Sequence, residues 1–344
     1  MKWLEQHTFP LEAKFADPEF AKEVYTKLVK RLLSEGTTAV MAYASGHLES
    51  TKLLYTLSNE YGLRCGVGLV AGDRGGGEHA DVETTEAFLD WCESQPPGTA
   101  FPVITPRFLP SCSEPLLAAL GELATKRKVR VQTHVGESSE EVAAVHAEFG
   151  KPGVEVLAET KLLDGAVLAH CTHLAEEEWG LVKEHGACVA SCPLSNILFA
   201  RRVLAVRKVQ DMGVPVGLGS DIAGGHDVTM LGGIRMVGVA GRVWEMEGYA
   251  GVNGAERVHW VRGLWMATQE GAGVAGVDAG VFEVGKAWDA MEVGLEVEGE
   301  EGDGDEEWSE EEWTGGLEKW VVGHGGRESI MRVWVQGRVV CERV

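Results

Sequence analysis

Basic residues are scarce in this chain. Its 344 residues hold 31 Lys and Arg against 53 Asp and Glu, a formal net charge of -22. Nucleic acid and anionic membrane surfaces both attract a basic face, so neither is expected as a main partner. Small uncharged or cationic substrates remain open. No apolar run reaches the length that spans a bilayer, and the segment Met1 to His7 is polar, so no secretory leader is expected. The seven cysteines are Cys65, Cys92, Cys112, Cys171, Cys188, Cys192 and Cys341. They are odd in number and widely spaced, with no C-x-x-C pair, which argues against a disulfide framework. A soluble cytoplasmic protein is the expectation.

What the chain does have is alternation. Asp17-Pro18 supplies an N-cap and a first-turn proline. Phe20, Val24, Leu28 and Leu32 follow at helical spacing, and Gly36 ends the helix. Seven short apolar runs then read as strands, near residues 37, 65, 99, 129, 166, 187 and 215, with helical patterns between them. Buried strands alternating with helices predict an α/β fold with a parallel sheet covered on both faces. After about residue 276 the pattern changes. Gly280 to Ala290 reads as a turn and a strand, and Arg332 to Val340 as a hairpin about Gln336-Gly337. Between them, Glu292 to Glu312 holds twelve acidic residues and no Lys or Arg, which reads as a solvated insert.

The chemistry gathers at strand ends. Val131 to Glu137 closes on His134 and Glu137, Val167 to His170 on His170, and Gly217 to Asp221 on Asp221. Barrel enzymes place functional groups at the carboxyl ends of strands, and His and Asp there can converge on one metal. Each residue also has a plainer reading. His134 or His170 could be a satisfied buried histidine, and Asp221 a helix cap. Glu137 could be an acid favoured by a helix N-terminus, within the capping box Ser138-x-x-Glu141. Arg107 and Phe108 end another strand; a donor fork beside a ring suits a planar heterocycle, or else a capped carbonyl and a core ring. Cys192 reads as an inert buried thiol. The H-x-E…P-C-x-x-C signature of the zinc cytidine deaminases is absent.

Together these segments resemble the guanine deaminases, a family within the amidohydrolase superfamily, from Trp3-Leu4-Glu5-Gln6-His7-Thr8-Phe9-Pro10 to the last strand. Thr105 to Ser113 is the most specific stretch, joined by His134-Val135-Gly136-Glu137, His170, Gly219 to Gly225, and Phe282 to Lys286. The resemblance implies a (β/α)8 TIM-type barrel over residues 1–275 and a small β-sandwich subdomain over 276–344. With seven strands counted, the barrel is expected to lack its first βα unit and the sandwich to be a remnant. The resemblance further implies one zinc held by His134, His170 and Asp221. Asp221 and Glu137 would be catalytic and, with His134, would touch the substrate. Arg107 would orient guanine and Phe108 would shape its pocket. The products would be xanthine and ammonia, in purine catabolism, and the assembly a homodimer.

Two departures stand out. The family's first strand ends in a His-x-His pair that adds two zinc ligands, and no such pair occurs in this sequence; His47 has no partner two residues away. Ser191 stands where many relatives carry histidine. Impaired zinc binding and activity are therefore expected. The alternatives are another amidohydrolase deaminase or a chlorohydrolase-type enzyme, and a non-catalytic purine-binding remnant.

Overall fold

In a computed structural model of the chain, residues 4–222, 224–246, 257–295 and 309–343 are described. Each apolar run forms a strand: β1 (Ala39–Tyr43), β2 (Arg64–Ala71), β3 (Ala100–Pro106), β4 (Gln132–Val135), β5 (Val167–His170), β6 (Cys188–Ser191) and β7 (Val216–Leu218). β1, β2 and β3 pair in parallel and in order, as do β4 through β7. Bridges Ile104↔Val131 and Phe108↔His134 join β3 to β4. The seven strands therefore make one curved parallel series in chain order. This is the α/β arrangement expected, with the helices between successive strands. β2 is buried along its whole length, as a central parallel strand should be. β1, expected to be buried, is only half-buried at every residue, because among the described residues it pairs on one side alone.

Inside the curve a polar clamp crosses the strands. The Gln132 amide donates to the Ala42 carbonyl at 3.0 Å and to Thr105 Oγ1 at 3.1 Å, tying β4 to β1 and β3. Gly68 on β2 makes room for it, since a Cβ there would lie 2.1 Å from Thr105 Oγ1 and 2.6 Å from Gln132 Nε2. At the amino ends of the strands, the helix Gln269–Ala275 lays Val274 against Val167 and Cys188. Arg130 fastens it there, donating to the Val274 carbonyl at 2.8 Å.

The first long helix, Pro18–Ser34, is capped by Asp17, whose side chain accepts from the Glu19 N–H at 3.0 Å. Its buried face is Ala21, Tyr25, Val29, Leu32 and Leu33. The sequence stripe of Phe20, Val24 and Leu28 lies one residue to the side and is half-buried. The apolar band is two residues wide, so periodicity alone did not fix its centre.

Past the helix Met230–Met246, the chain builds an antiparallel sheet of β8 (Ala290–Val293), β9 (Ile330–Val335) and β10 (Arg338–Glu342). The hairpin turns at Gln336-Gly337, as expected. The expected strand over Gly280 to Ala290 is corrected: only Ala290 belongs to β8, and the residues before it are turns and bends. Among the described residues this region is a single three-stranded sheet. Most of the acidic insert, residues 296–308, lies outside the described residues. All seven cysteines are free thiols, as expected. No described helix is long and apolar enough to cross a membrane.

One ion pair clasps the two ends of the fold. Arg64 on β2 grips Asp289 with a two-pronged hydrogen bond of 3.0 and 2.7 Å, and Asp289 also accepts from the Gln336 N–H at 2.9 Å. Both side chains are nearly buried, at 10% and 4% exposure. Removing one partner strands a buried charge, so Asp289→Ala is expected to cost about 3–5 kcal/mol of stability. Urea unfolding checks this; a loss below about 1 kcal/mol, the size of a surface pair, contradicts the clasp.

Candidate metal centre

Three of the strand-end residues meet. Ligand atoms of His134, His170 and Asp221 all lie within 4.8 Å of one another. The two imidazoles stack with centroids 5.3 Å apart. Local backbone bends bring them in. His170, Cys171 and Asp221 take positive φ of 72°, 54° and 47°, a conformation uncommon outside glycine that recurs at functional sites. Gly136, at φ 60°, turns the chain between His134 and Glu137. Gly224 lets the loop pass Asp221, whose Oδ2 a Cβ there would meet at 2.4 Å.

The hydrogen bonds fix the tautomers. His134 Nδ1 lies 2.7 Å from the Arg107 carbonyl, which can only accept, so Nδ1 carries the proton and Nε2 keeps its lone pair. His170 Nδ1 faces Asn196 Oδ1 at 2.8 Å, so it too carries a proton. Ser195, the neighbour of Asn196, donates its hydroxyl to Asp221 Oδ2. One short turn after β6 thus orients ligands from two other strands. Burial first, and then His170, pushes the His134 imidazole down to about 4, so it is neutral and available for coordination at pH 7.

The other expected site residues lie around this cluster. Glu137 Oε1 is 4.0 Å from His170 Nε2. Its backbone is braced from both sides. Glu141 accepts from the Gly136 and Glu137 N–H groups at 3.0 and 2.7 Å, and Thr172 Oγ1 donates to the Glu137 carbonyl at 2.9 Å. The capping box is thereby corrected: Ser138 caps the Glu141 N–H, but the Glu141 carboxylate turns to Gly136 and Glu137 instead of Ser138. Phe108 bridges to His134 through its backbone. Arg107 sits beside His134, but its guanidinium is paired with Glu12 at 2.8 and 3.0 Å. His47 stands apart, 3.3 Å from Glu78. Cys192 is buried and its thiol is pushed well above the usual range by burial, as an inert thiol requires.

Glu12, Glu141, Ser195, Asn196 and Tyr43 were not reached from sequence. Tyr43 packs on His134 with ring centroids 4.2 Å apart. Only the pairing of Ser195-Asn196 with a strand end carried a signal, and strand-end polar residues are too common to single out.

Comparison with known proteins places this arrangement. A model of the amidohydrolase family matches residues 1–340. The chain belongs to the amidohydrolase family. A probable guanine deaminase of Schizosaccharomyces pombe is 35% identical to it, over 99% of this chain and 66% of that protein. A guanine deaminase of Dictyostelium discoideum is 38% identical over 68% of this chain and 54% of that protein. The crystal structure of a guanine deaminase from C. acetobutylicum with bound guanine matches with a TM-score of 0.87 at 30% identity, covering 98% of this chain and 80% of that one. This amidohydrolase therefore spans between about half and two thirds of the length of those two curated relatives.

The donor set fits a zinc ion: two imidazole Nε2 atoms and a carboxylate, each oriented by a second hydrogen bond. The Tyr43 hydroxyl and the Asn196 amide nitrogen are buried without a partner close by, so polar capacity remains for a hydrated ion.

Two predictions follow for this amidohydrolase. Unfolded His134 titrates near 6.5 but the folded residue near 4, so below about pH 6.5 the unfolded state binds the extra proton. The metal-free protein should lose stability as pH falls from about 6.5 to about 4; His134→Gln should flatten that slope in thermal melts, and an unchanged slope rejects the assignment. Glu141→Gln leaves one of two buried N–H groups without an acceptor and is expected to cost about 1–3 kcal/mol, measurable by denaturant unfolding; a neutral substitution contradicts the bracing role.

Proposed function

We propose that this amidohydrolase is a zinc-dependent guanine deaminase that converts guanine and water to xanthine and ammonia. The convergence of His134, His170 and Asp221, with Glu137 and Arg107 at its border, carries the reading. Similarity to guanine deaminases, one of them solved with guanine in its active site, supports the substrate. The two Nε2 atoms and the Asp221 carboxylate would hold the ion. When bound, zinc supplies Lewis acidity and lowers the pKa of a coordinated water from 15.7 to about 7.

The protein's own groups account for the rest. Arg107 keeps N–H donors beyond those paired with Glu12, and these suit a ring carbonyl oxygen. Phe108 follows it at the same strand end and gives the pocket an apolar wall. Asp221, held by Ser195, is placed to accept a proton from water. Glu137, with its side chain about a third exposed, can carry a proton to a ring nitrogen and then to the leaving amine. Across the reaction a C–O bond forms at C2 and the C–NH2 bond breaks, with the proton count preserved.

The sequence as it stands holds no His-x-His pair, so three protein ligands carry the ion and the reading expects weak retention. After dialysis the purified chain should keep less than one zinc per molecule and release ammonia from guanine slowly, faster with added zinc. Asp221→Asn should lower that release by about a hundredfold or more. A zinc-supplemented chain that deaminates another aminated heterocycle but not guanine overturns the substrate; one that binds purine without turnover supports the non-catalytic alternative.

A further inference from the structure

The N-terminal segment Leu4 to Ala16 precedes the strand series, yet it reaches the site. The short helix Phe9–Glu12 puts two side chains on one face, three residues apart. Phe9 lies beneath Arg107, with the guanidinium carbon 5.2 Å from the ring centroid. Glu12 takes the end of the same guanidinium through Nη1 at 2.8 Å and Nη2 at 3.0 Å. The pair is largely enclosed, with side-chain exposures of 12% and 25%. Phe9 is itself seated on the loop after β2, where a Cβ on Gly76 or Gly77 would meet its ring at 3.1 or 2.9 Å. The clamp is therefore built: a ring under the plane, a carboxylate on the end, and a glycine seat beneath the ring.

This has a chemical consequence. An arginine has five N–H donors, and end-on pairing with Glu12 uses two. Three donors remain, including the Nε–H and the Nη–H beside it, a second fork that can meet a carbonyl oxygen. The positive charge does not remain, because Glu12 balances it at hydrogen-bond distance. We propose that Glu12 is the specificity-determining counterion of Arg107: it leaves the arginine as a hydrogen-bond donor and cancels it as an anion receptor, so that the site takes a neutral oxopurine and discriminates against an anionic one. The inference rests on the reading of the site as a guanine site. It bears directly on the product. Xanthine carries one more ring carbonyl than guanine and is the stronger acid, so it becomes an anion at a pH where guanine is still neutral. With Glu12 in place Arg107 offers that anion no net attraction to offset its desolvation; without Glu12 the arginine would retain it.

The test is equilibrium binding of guanine and of xanthine to the zinc-supplemented full chain by calorimetry, at one pH where xanthine is neutral and one where it is an anion. For the native chain, xanthine affinity should fall on ionisation. For Glu12→Gln it should rise instead, shifting the xanthine-to-guanine preference at the higher pH by about tenfold. Glu12→Asp, which keeps the charge, should hold the native preference. Loss of packing around Arg107 would weaken both ligands together and leave their ratio unmoved, so the ratio is the readout. Native-like ratios in Glu12→Gln, with guanine still bound, overturn the role of Glu12 and leave the guanine site standing. Failure of the native chain to bind guanine at all overturns the guanine site and this inference with it.

Discussion

One backbone carbonyl organises the site. The oxygen of Arg107 accepts the His134 N–H at 3.2 Å and its Nδ1–H at 2.7 Å. Through the first bond β3 is joined to β4 at their carboxyl ends, beyond the Gln132–Thr105 bond lower in the strands. Through the second the imidazole is fixed in rotation and tautomer, with Nε2 turned to the cluster. The guanidinium of the same residue is held by Glu12. Strand pairing, imidazole orientation and the ion pair with Glu12 thus share one residue, and a shift of β3 against β4 would disturb all three together.

Around that point the protein manages charge by pairing and burial. The chain is strongly acidic overall, yet one imidazole at its centre is held neutral. Burial keeps His134 uncharged, and three carboxylates nearby are engaged: Asp221 by Ser195, Glu141 by two peptide N–H groups, Glu12 by Arg107. Each of these hydrogen bonds holds its carboxylate in one orientation. The left-handed φ of His170 and Asp221 belongs to the same economy: some backbone strain is exchanged for convergence that ordinary strand ends would not give.

The sequence made the strand series legible because each buried strand is a short apolar run set off by a helix, and His134, Glu137, His170 and Asp221 because each closes such a run. Other features were out of reach for physical reasons. Glu141 looks like a capping-box acid, since Ser138 does cap its N–H; only the bend at Gly136 redirects its carboxylate. Glu12 sits in a short, largely apolar stretch from Phe9 to Phe15 with nothing in the sequence to mark it, and its meaning arises from Arg107, far away in the chain. Gly280 to Ala290 has the composition of a turn and a strand, but the sheet begins only at its last residue, where β9 offers a partner. Periodicity reports which face is buried, and it is silent on which distant group a polar side chain meets.

The spacing of those contacts along the chain has a consequence for how the molecule comes together. Arg64 and Asp289 are separated by 225 positions and Arg107 and Glu12 by 95. Loop-closure entropy must be overcome before such contacts return anything. Neighbouring β-α-β units can form early from local contacts, but neither clasp lies within one such unit. Both clasps are therefore late products of folding, closed only after the units between their partners have formed, and the Arg107 guanidinium takes its place beside the candidate centre only then.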